Sequence, residues 1–470
     1  MITAEIKDKL IRIVSDKNFE DNMTSRLVYS YDATPNFQSL PDAIVSPRNT
    51  KEVSEVVKIC NEYKIPIVPR GSGTNLCAGT CPTEGGIVLL FKLMNKILEI
   101  DEENLTITAQ PGVITLDLIK AVEKKGLFYP PDPSSMKIST IGGNINENSG
   151  GLRGLKYGVT RDYVMGLEVV LANGDIIRTG GKLAKDVAGY DLTRLLVGSE
   201  GTLGIVTEAI LKLIPMPETK RTMLSLYQDM EKAAQTVSKI IASKIIPTTL
   251  EFLDQPTLKV VEDFAQIGLP VDVQAVLLIE QDGPREVVER DMKKIEEICK
   301  VENAISVTVA KTQAEADALT TARRSALSAL ARLKPTTILE DATVPRSEIA
   351  NMVKAINEIS KKYNVDICTF GHAGDGNLHP TCLTDARDHE EMERVEKALE
   401  EIFQKAIELG GTITGEHGVG TMKAPYLKLK LGEAGINAMR LIKESLDPNN
   451  IMNPGKVFAK DTRKRVVVSK

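Results

Sequence analysis

The chain has 470 residues, of which 42% are hydrophobic and 26% charged, with a formal net charge of −5. That balance excludes a disordered chain and gives no basic footprint for nucleic acid. The length exceeds what one ordinary core accommodates, so two or three domains are expected, and no apolar run approaches the roughly 18 residues a membrane span needs.

The opening MITAEIKDKLIRIVSDKNF reads as an amphipathic helix carrying charges throughout. It has no apolar core region or cleavage site and is not a signal peptide. Cysteines stand at 60, 77, 81, 299, 368 and 382, with no CxxC and no iron–sulfur ligand run. A cytoplasmic protein with reduced thiols is expected, Cys77 and Cys81 being packing residues rather than a thiol pair. Strands are predicted at Ala43–Pro47, Ile65–Gly71, Gly86–Lys92 and Leu105–Gly112, and a helix at Thr115–Gly126. Leu167–Gly180 reads as a hairpin in which Asn173 and Gly174 supply the positive φ angles of a tight turn. Beyond Pro215 and Pro217 glycines thin out. Helices are predicted near 229–243, 284–300, 312–333, 346–362 and 388–409, with strands such as Val273–Gln281 and Val365–His372 between them. That alternation implies an α+β domain with helices packed on an antiparallel sheet. Leu446–Lys456 is a Pro/Asn/Gly loop after a helix, and the basic end Lys460–Lys470 is a solvated tail.

Three glycine-rich loops carry the first chemical signal. VPRGSGTNLCAGT (Val68–Thr80) follows a strand, and its small residues let backbone N–H groups converge on an anion. It lacks the third glycine of GxGxxG, and no GxxxxGK[ST] occurs. Tyr129–Val164 repeats the chemistry with Gly142-Gly143 and Gly150-Gly151, and Gly189–Ala209 adds more glycines. Three such loops suit a long ligand with a diphosphate and a flat ring system.

PRGSGT, PDPSS…TIGGN…NSGG…YGVTRDYV and LVGSEGTLGIVTE closely resemble the FAD domain of the vanillyl-alcohol-oxidase-type flavoproteins. Within them the chain resembles the glycolate oxidase subunit and D-lactate dehydrogenase branch, from about residue 20 to 456. It resembles there the lactate dehydrogenase subunit that works with electron-transferring flavoprotein in electron-bifurcating complexes. The resemblance implies a two-part FAD-binding domain over residues 1–218, an α+β cap over 219–425, and a segment 426–470 returning to the FAD domain. It implies that Arg70, Gly71, Ser72, Gly73, Thr74, Asn75 and Gly79 cradle the pyrophosphate. Pro131, Asp132, Ser134, Thr140, Gly142, Gly143, Asn148, Gly151, Tyr157 and Gly158 would line the flavin and ribityl chain. Glu200, Gly201, Ile205 and Val206 would flank the adenosine, with Asn453 returning to the cofactor. Many relatives link FAD to a histidine of the first domain, but residues 1–371 contain none. Histidyl-linked FAD is therefore excluded and a dissociable cofactor is expected; a cysteinyl link through Cys77 or Cys81 stays open.

The four histidines stand at 372, 379, 389 and 417. In TFGHAGDGNLHP a Gly374-Asp375-Gly376 turn lies between two extended runs, so His372 and His379 could face one pocket. GEHGVG adds Glu416 beside His417. Two imidazoles and a carboxylate form a three-ligand set for Fe, Zn or Mn; the plainer reading is a hydrogen-bonded histidine cluster. The resemblance implies that His372, His379 and Glu416 hold the ion, that His417 is the base and that Arg323 binds the substrate carboxylate. Arg324 and Lys334 are weaker candidates, and His389, in a charged helix, is a surface residue. The implied reaction is oxidation of a small D-2-hydroxy acid, D-lactate first, with electrons passing to electron-transferring flavoprotein. The alternative is the FAD subunit of a glycolate dehydrogenase feeding an iron–sulfur subunit. A metal hydrolase and a non-catalytic flavin scaffold are rivals from other classes.

Overall fold

The computed structural model describes residues 2–458; Met1 and the basic tail Lys460–Lys470 lie outside the described residues. Its contacts divide into two units. The first comprises residues 2–149, 159–216 and 416–458, the second Gly150–Gly158 and Pro217–Gly415.

In the first unit, Ala43–Val45, Ile87–Leu90 and Ile67–Arg70 form a parallel set, with Phe19–Glu20 antiparallel at one edge. The strands Ala43–Val45 and Ile87–Leu90 are buried at every position, which is why they read as continuous apolar runs rather than alternating ones. The helix Thr50–Tyr63 starts where Asn49 accepts the Glu52 N–H at 3.0 Å and stops at Lys64 in a left-handed conformation. It buries Val53, Val56, Val57 and Cys60 in the core cluster that holds Ala43, Ile67 and Ile87.

A second sheet of this unit runs antiparallel in the order Ile97–Asp101, Thr106–Ala109, Ile205–Lys212, Val164–Val170, Ile176–Gly180. The hairpin at its edge is present, but only Gly174 of the turn has positive φ (84°). Asn173 acts through its side chain, which accepts the Asp175 N–H at 2.9 Å, so its backbone need not turn left-handed. The C-terminal return is pinned at Met452, which bridges Ile67. Lys443 donates to the carbonyls of Thr202 and Met452 at 2.8 Å each and pairs with the fully buried Asp447. The Asp447 carboxylate accepts the N–H groups of Ile451 (3.0 Å) and Met452 (2.8 Å).

The second unit is an antiparallel sheet in the order Ser306–Val309, Thr219–Tyr227, Ala275–Gly283, Thr249–Asp254, Asp366–His372, Asn377–Thr384, Thr336–Leu339; Ala342–Thr343 also pairs with Asn377–Thr384. The helices Met230–Ala242, Arg285–Val301, Ile349–Tyr363 and His389–Glu408 bury their apolar faces in one core with it, the α+β arrangement expected of this region. The helix predicted over 312–333 is two, Gln313–Arg324 and Ala326–Leu330, separated at Ser325, whose hydroxyl turns back onto the Ala322 carbonyl at 2.7 Å. Gly150–Gly158 joins this unit through Asp282, which accepts from Lys156 (2.5 Å) and Tyr157 (2.9 and 3.0 Å).

Removing one partner of a buried ion pair strands the other charge. Lys443→Met should therefore destabilise the first unit by about 3–5 kcal/mol. Chemical denaturation checks this: a midpoint equal to that of the wild type would mean the return segment is held by other contacts.

Candidate active site

The histidines of the second unit are placed by strand register. Asp366–His372 pairs antiparallel with Asn377–Thr384, Phe370 opposite His379 and His372 opposite Asn377. Alternation puts positions 370, 372, 377 and 379 on one face, so the two histidines are diagonal neighbours, their ring centroids 5.2 Å apart. The turn between the strands requires Gly376, with φ 89° and no room for a Cβ beside the Val344 carbonyl.

The strand Thr249–Asp254 continues the same face. Phe252 pairs with Gly371, and one step along Glu251 stands beside His372. Glu251 is fully buried; its Oε1 lies 2.7 Å from His372 Nδ1 and its Oε2 2.5 Å from an Arg323 nitrogen. Burial alone would raise this carboxyl, but Arg323 and His372 outweigh it and hold it below the usual range. His379 Nδ1 faces the Glu340 carbonyl at 3.3 Å. With both Nδ1 atoms engaged within the protein, Nε2 of each ring is the nitrogen that would meet a metal.

Asp341 accepts from the Thr414 hydroxyl and the Gly415 N–H, each at 2.8 Å, and so fixes the segment that leads by one peptide bond to Glu416. One ligand atom from each of His372, His379 and Glu416 lies within 4.8 Å of the others. Two neutral imidazoles and a carboxylate this close suit one divalent cation, and the carboxylate behind His372 is the usual support of a metal-bound imidazole.

The first unit contains a cleft drawn from several separate stretches of chain. Arg70, Gly71, Gly79, Thr140, Gly142, Gly143, Glu200, Gly201, Ile205, Val206 and Asn453 all line it. Asn453 ties two walls together, donating to the carbonyls of Gly79 (2.9 Å) and Glu200 (2.7 Å). Asn146 ties a third wall to the second: its carbonyl accepts the Glu200 N–H at 2.9 Å and its side chain the Gly201 N–H at 3.0 Å. The backbone N–H groups of residues 71–76 donate no hydrogen bond among the described residues. A loop of unspent donors beside glycines is what an anionic group requires.

Residues 41–180 match the family described as "FAD binding domain", and residues 216–457 the one described as "FAD linked oxidases, C-terminal domain". The chain belongs to the FAD-linked oxidase family. It is 76% identical over the full length of both chains to the glycolate oxidase subunit GlcD of Bacillus subtilis (strain 168). It is 38% identical to a D-lactate dehydrogenase of Anaerostipes hadrus, covering 89% of this chain and 90% of that one. Among solved structures, p-cresol methylhydroxylase superposes with a TM-score of 0.80 at 20% identity, covering 96% of each chain, which supports the vanillyl-alcohol-oxidase fold. This FAD-linked oxidase is thus a flavin-dependent oxidoreductase.

Other expected cofactor residues stand outside the cleft's lining. Ser72 lies on an adjoining hollow with Gly71 and Thr140. Asn75 braces the loop, accepting the Gly79 N–H at 2.8 Å, and Gly73 (φ 71°) packs on the Arg70 guanidinium. Thr74 remains a loop residue, Pro131 and Asp132 are buried, and Ser134 is exposed. Asn148 caps the helix Ile141–Glu147 in a left-handed conformation. Gly151, Tyr157 and Gly158 fall in the second unit, where Tyr157 spends its hydroxyl on Asp282. Arg323 is buried over the Phe370 ring, its centroid distance 4.7 Å, and its Nε has no hydrogen-bond partner among the described residues. Arg324 is half-buried. Lys334 is occupied by Asp366 (2.8 Å) and Glu391 (3.2 Å), and His389 is exposed. The Cys77 thiol lies 3.1 Å from the carbonyls of His417 and Gly418, and both Cys77 and Cys81 are buried.

Sequence reading missed Glu251, Glu147, Asn146 and Phe91. Glu147 and Asn146 lie inside the recognised NINENSGG stretch, so their position was available; Glu251 carried no local signal.

Gly71 has no space for a Cβ, which would overlap the Thr140 hydroxyl. Gly71→Ala should push the loop off the cleft and weaken FAD at least about tenfold, a cost of about 1.4 kcal/mol. Fluorescence titration of the apoprotein reads this; unchanged affinity would remove the loop from the cofactor site.

Proposed function

We propose that this FAD-linked oxidase converts a small 2-hydroxy acid to the 2-oxo acid, using a divalent ion held by His372, His379 and Glu416. The observation that carries the reading is the three-ligand cluster with Glu251 behind it. The chemistry explains why such a set belongs with a flavin. Oxidising R–CH(OH)–COO⁻ removes a hydroxyl proton and a hydride from the same H–C–O–H unit. FAD supplies the hydride acceptor, and a divalent ion the Lewis acidity that brings the hydroxyl's pKa toward neutrality.

The residues divide the remaining work. His417, next in the chain to Glu416, accepts the hydroxyl proton; an imidazole with an unperturbed pKa of about 6.5 is matched to that task near neutral pH. Arg323 binds the carboxylate through the N–H groups that Glu251 leaves free, a fixed fork for a planar anion. Glu251 keeps both the guanidinium and the His372 ring from turning. No step requires the α-substituent to be a methyl group. Full-length similarity to a glycolate oxidase subunit favours glycolate as the first substrate to test, and the D-lactate dehydrogenase relatives favour D-lactate as the second. The word "subunit" in the first of these names supports a separate protein as electron acceptor. An iron–sulfur subunit goes with the glycolate reading and an electron-transferring flavoprotein with the lactate reading. No helix among the described residues is long and apolar enough to cross a membrane.

His417→Asn should keep FAD and metal yet lower the rate of flavin reduction at least about a hundredfold. Stopped-flow bleaching under anaerobic conditions measures it, and a normal rate would remove His417 from the base role. His372→Ala should lose metal and flavin reduction together; an active, metal-free variant would end the proposal. A panel of glycolate, both lactates and longer 2-hydroxy acids in the same bleaching assay ranks the substrates, and a flavin that none of them bleaches would contradict the reading.

A further inference from the structure

Glu147 ends the helix Ile141–Glu147 and lines the cofactor cleft, yet no hydrogen bond to its carboxyl group forms among the described residues. Its Oε2 is buried without a partner. Two glycines give the carboxyl group its place. A Cβ on Gly79 would come within 3.1 Å of Oε1, and one on Gly418 (φ 82°) would overlap Oε2 and lie 3.2 Å from the Glu200 carboxylate. Glu147 and Glu200 therefore flank the same α-carbon.

Two carboxyl groups this close in a buried setting do not both ionise readily. The surroundings decide which one holds the proton. Burial raises the Glu200 carboxyl too, but it accepts the N–H groups of Val419 and Gly420, both at 2.7 Å, which favour its anion. Glu147 has no such donors and stands at the negative end of a helix. Burial above all, then Glu200 and Asp32, pushes its carboxyl well above the usual range, and only Lys423 opposes them. Arg70, the cation on the cleft's lining, is turned to Thr80 and the Tyr29 ring.

We propose that Glu147 enters the cofactor cleft as an uncharged carboxylic acid and donates its O–H to an acceptor on FAD. An unsatisfied buried hydroxyl is costly, and the described residues offer it no acceptor. FAD is rich in acceptors, and a neutral donor meets its pyrophosphate and ring oxygens without adding an anion beside them. The glutamate is thus a cofactor-binding residue whose charge state is set by its neighbour.

Glu147→Gln keeps the size and a hydrogen-bond donor; Glu147→Ala removes both. FAD titration of the apoproteins should give Glu147→Gln within about threefold of wild type and Glu147→Ala about tenfold weaker. Equal affinity in Glu147→Ala, or a Glu147→Gln variant as weak as Glu147→Ala, overturns the proposal. Should Glu147→Ala fail to fold, infrared spectroscopy of the FAD-loaded protein decides. The carbonyl stretch of a protonated carboxyl must be present in wild type and missing from Glu147→Gln; identical spectra refute it.

Discussion

A carboxylate with no exposure to water must be surrounded by charge and donors, and Glu251 is such a group. It sits in the middle of the second unit's sheet with an imidazole on one oxygen and a guanidinium on the other. Desolvating it is expensive, and only the simultaneous presence of both partners offsets the cost. That requirement fixes three elements at once: the strand Thr249–Asp254, the strand Asp366–His372 and the end of the helix Gln313–Arg324. It also orients the ring nitrogen that a metal needs. The mutual dependence makes the site rigid, because neither His372 nor Arg323 can turn away without stranding a buried charge.

The cofactor cleft of the first unit is built on a different principle. Its walls come from residues near 70, 140, 200 and 453, and backbone rather than side-chain charge does most of the work. Asn146 and Asn453 act as cross-braces, each satisfying main-chain groups from other segments. The glycines are there because neighbouring atoms fill the volume a side chain would take: Thr140 at Gly71, Pro111 at Gly142, Pro69 at Gly201. Such a surface is shaped for a large ligand and carries few charges of its own, Arg70, Glu147 and Glu200 being those on its lining.

Features encoded locally were legible in the sequence. The buried parallel strands announced themselves as apolar runs, the loops as glycine clusters, and His372 and His379 as two rings either side of a Gly-Asp-Gly turn. What escaped were partnerships across long chain separations. In TLEFLD, Leu250 and Phe252 suggest one buried face, which leaves Glu251 on the face usually given to solvent. Its actual burial depends on His372, 121 residues away, and on Arg323. Nor did the YGV segment announce that Tyr157 is hydrogen-bonded to Asp282, 125 residues distant. The helix before Leu446 was legible, but not its interruption at Gly432, whose φ is 65°. The asparagine–glycine turn shows that composition can name the right turn for a partly wrong reason, since Asn173 works through its side chain.

The central claim is that flavin reduction by a 2-hydroxy acid requires the ion held by His372, His379 and Glu416. The direct test is anaerobic bleaching of the FAD-loaded protein with glycolate or D-lactate, before and after removal of metal by a chelator and again after one equivalent of divalent metal is restored. The account predicts that bleaching is lost with the metal while bound FAD is unchanged, and that it returns on reconstitution. Bleaching at an undiminished rate in protein shown by elemental analysis to be metal-free would contradict it.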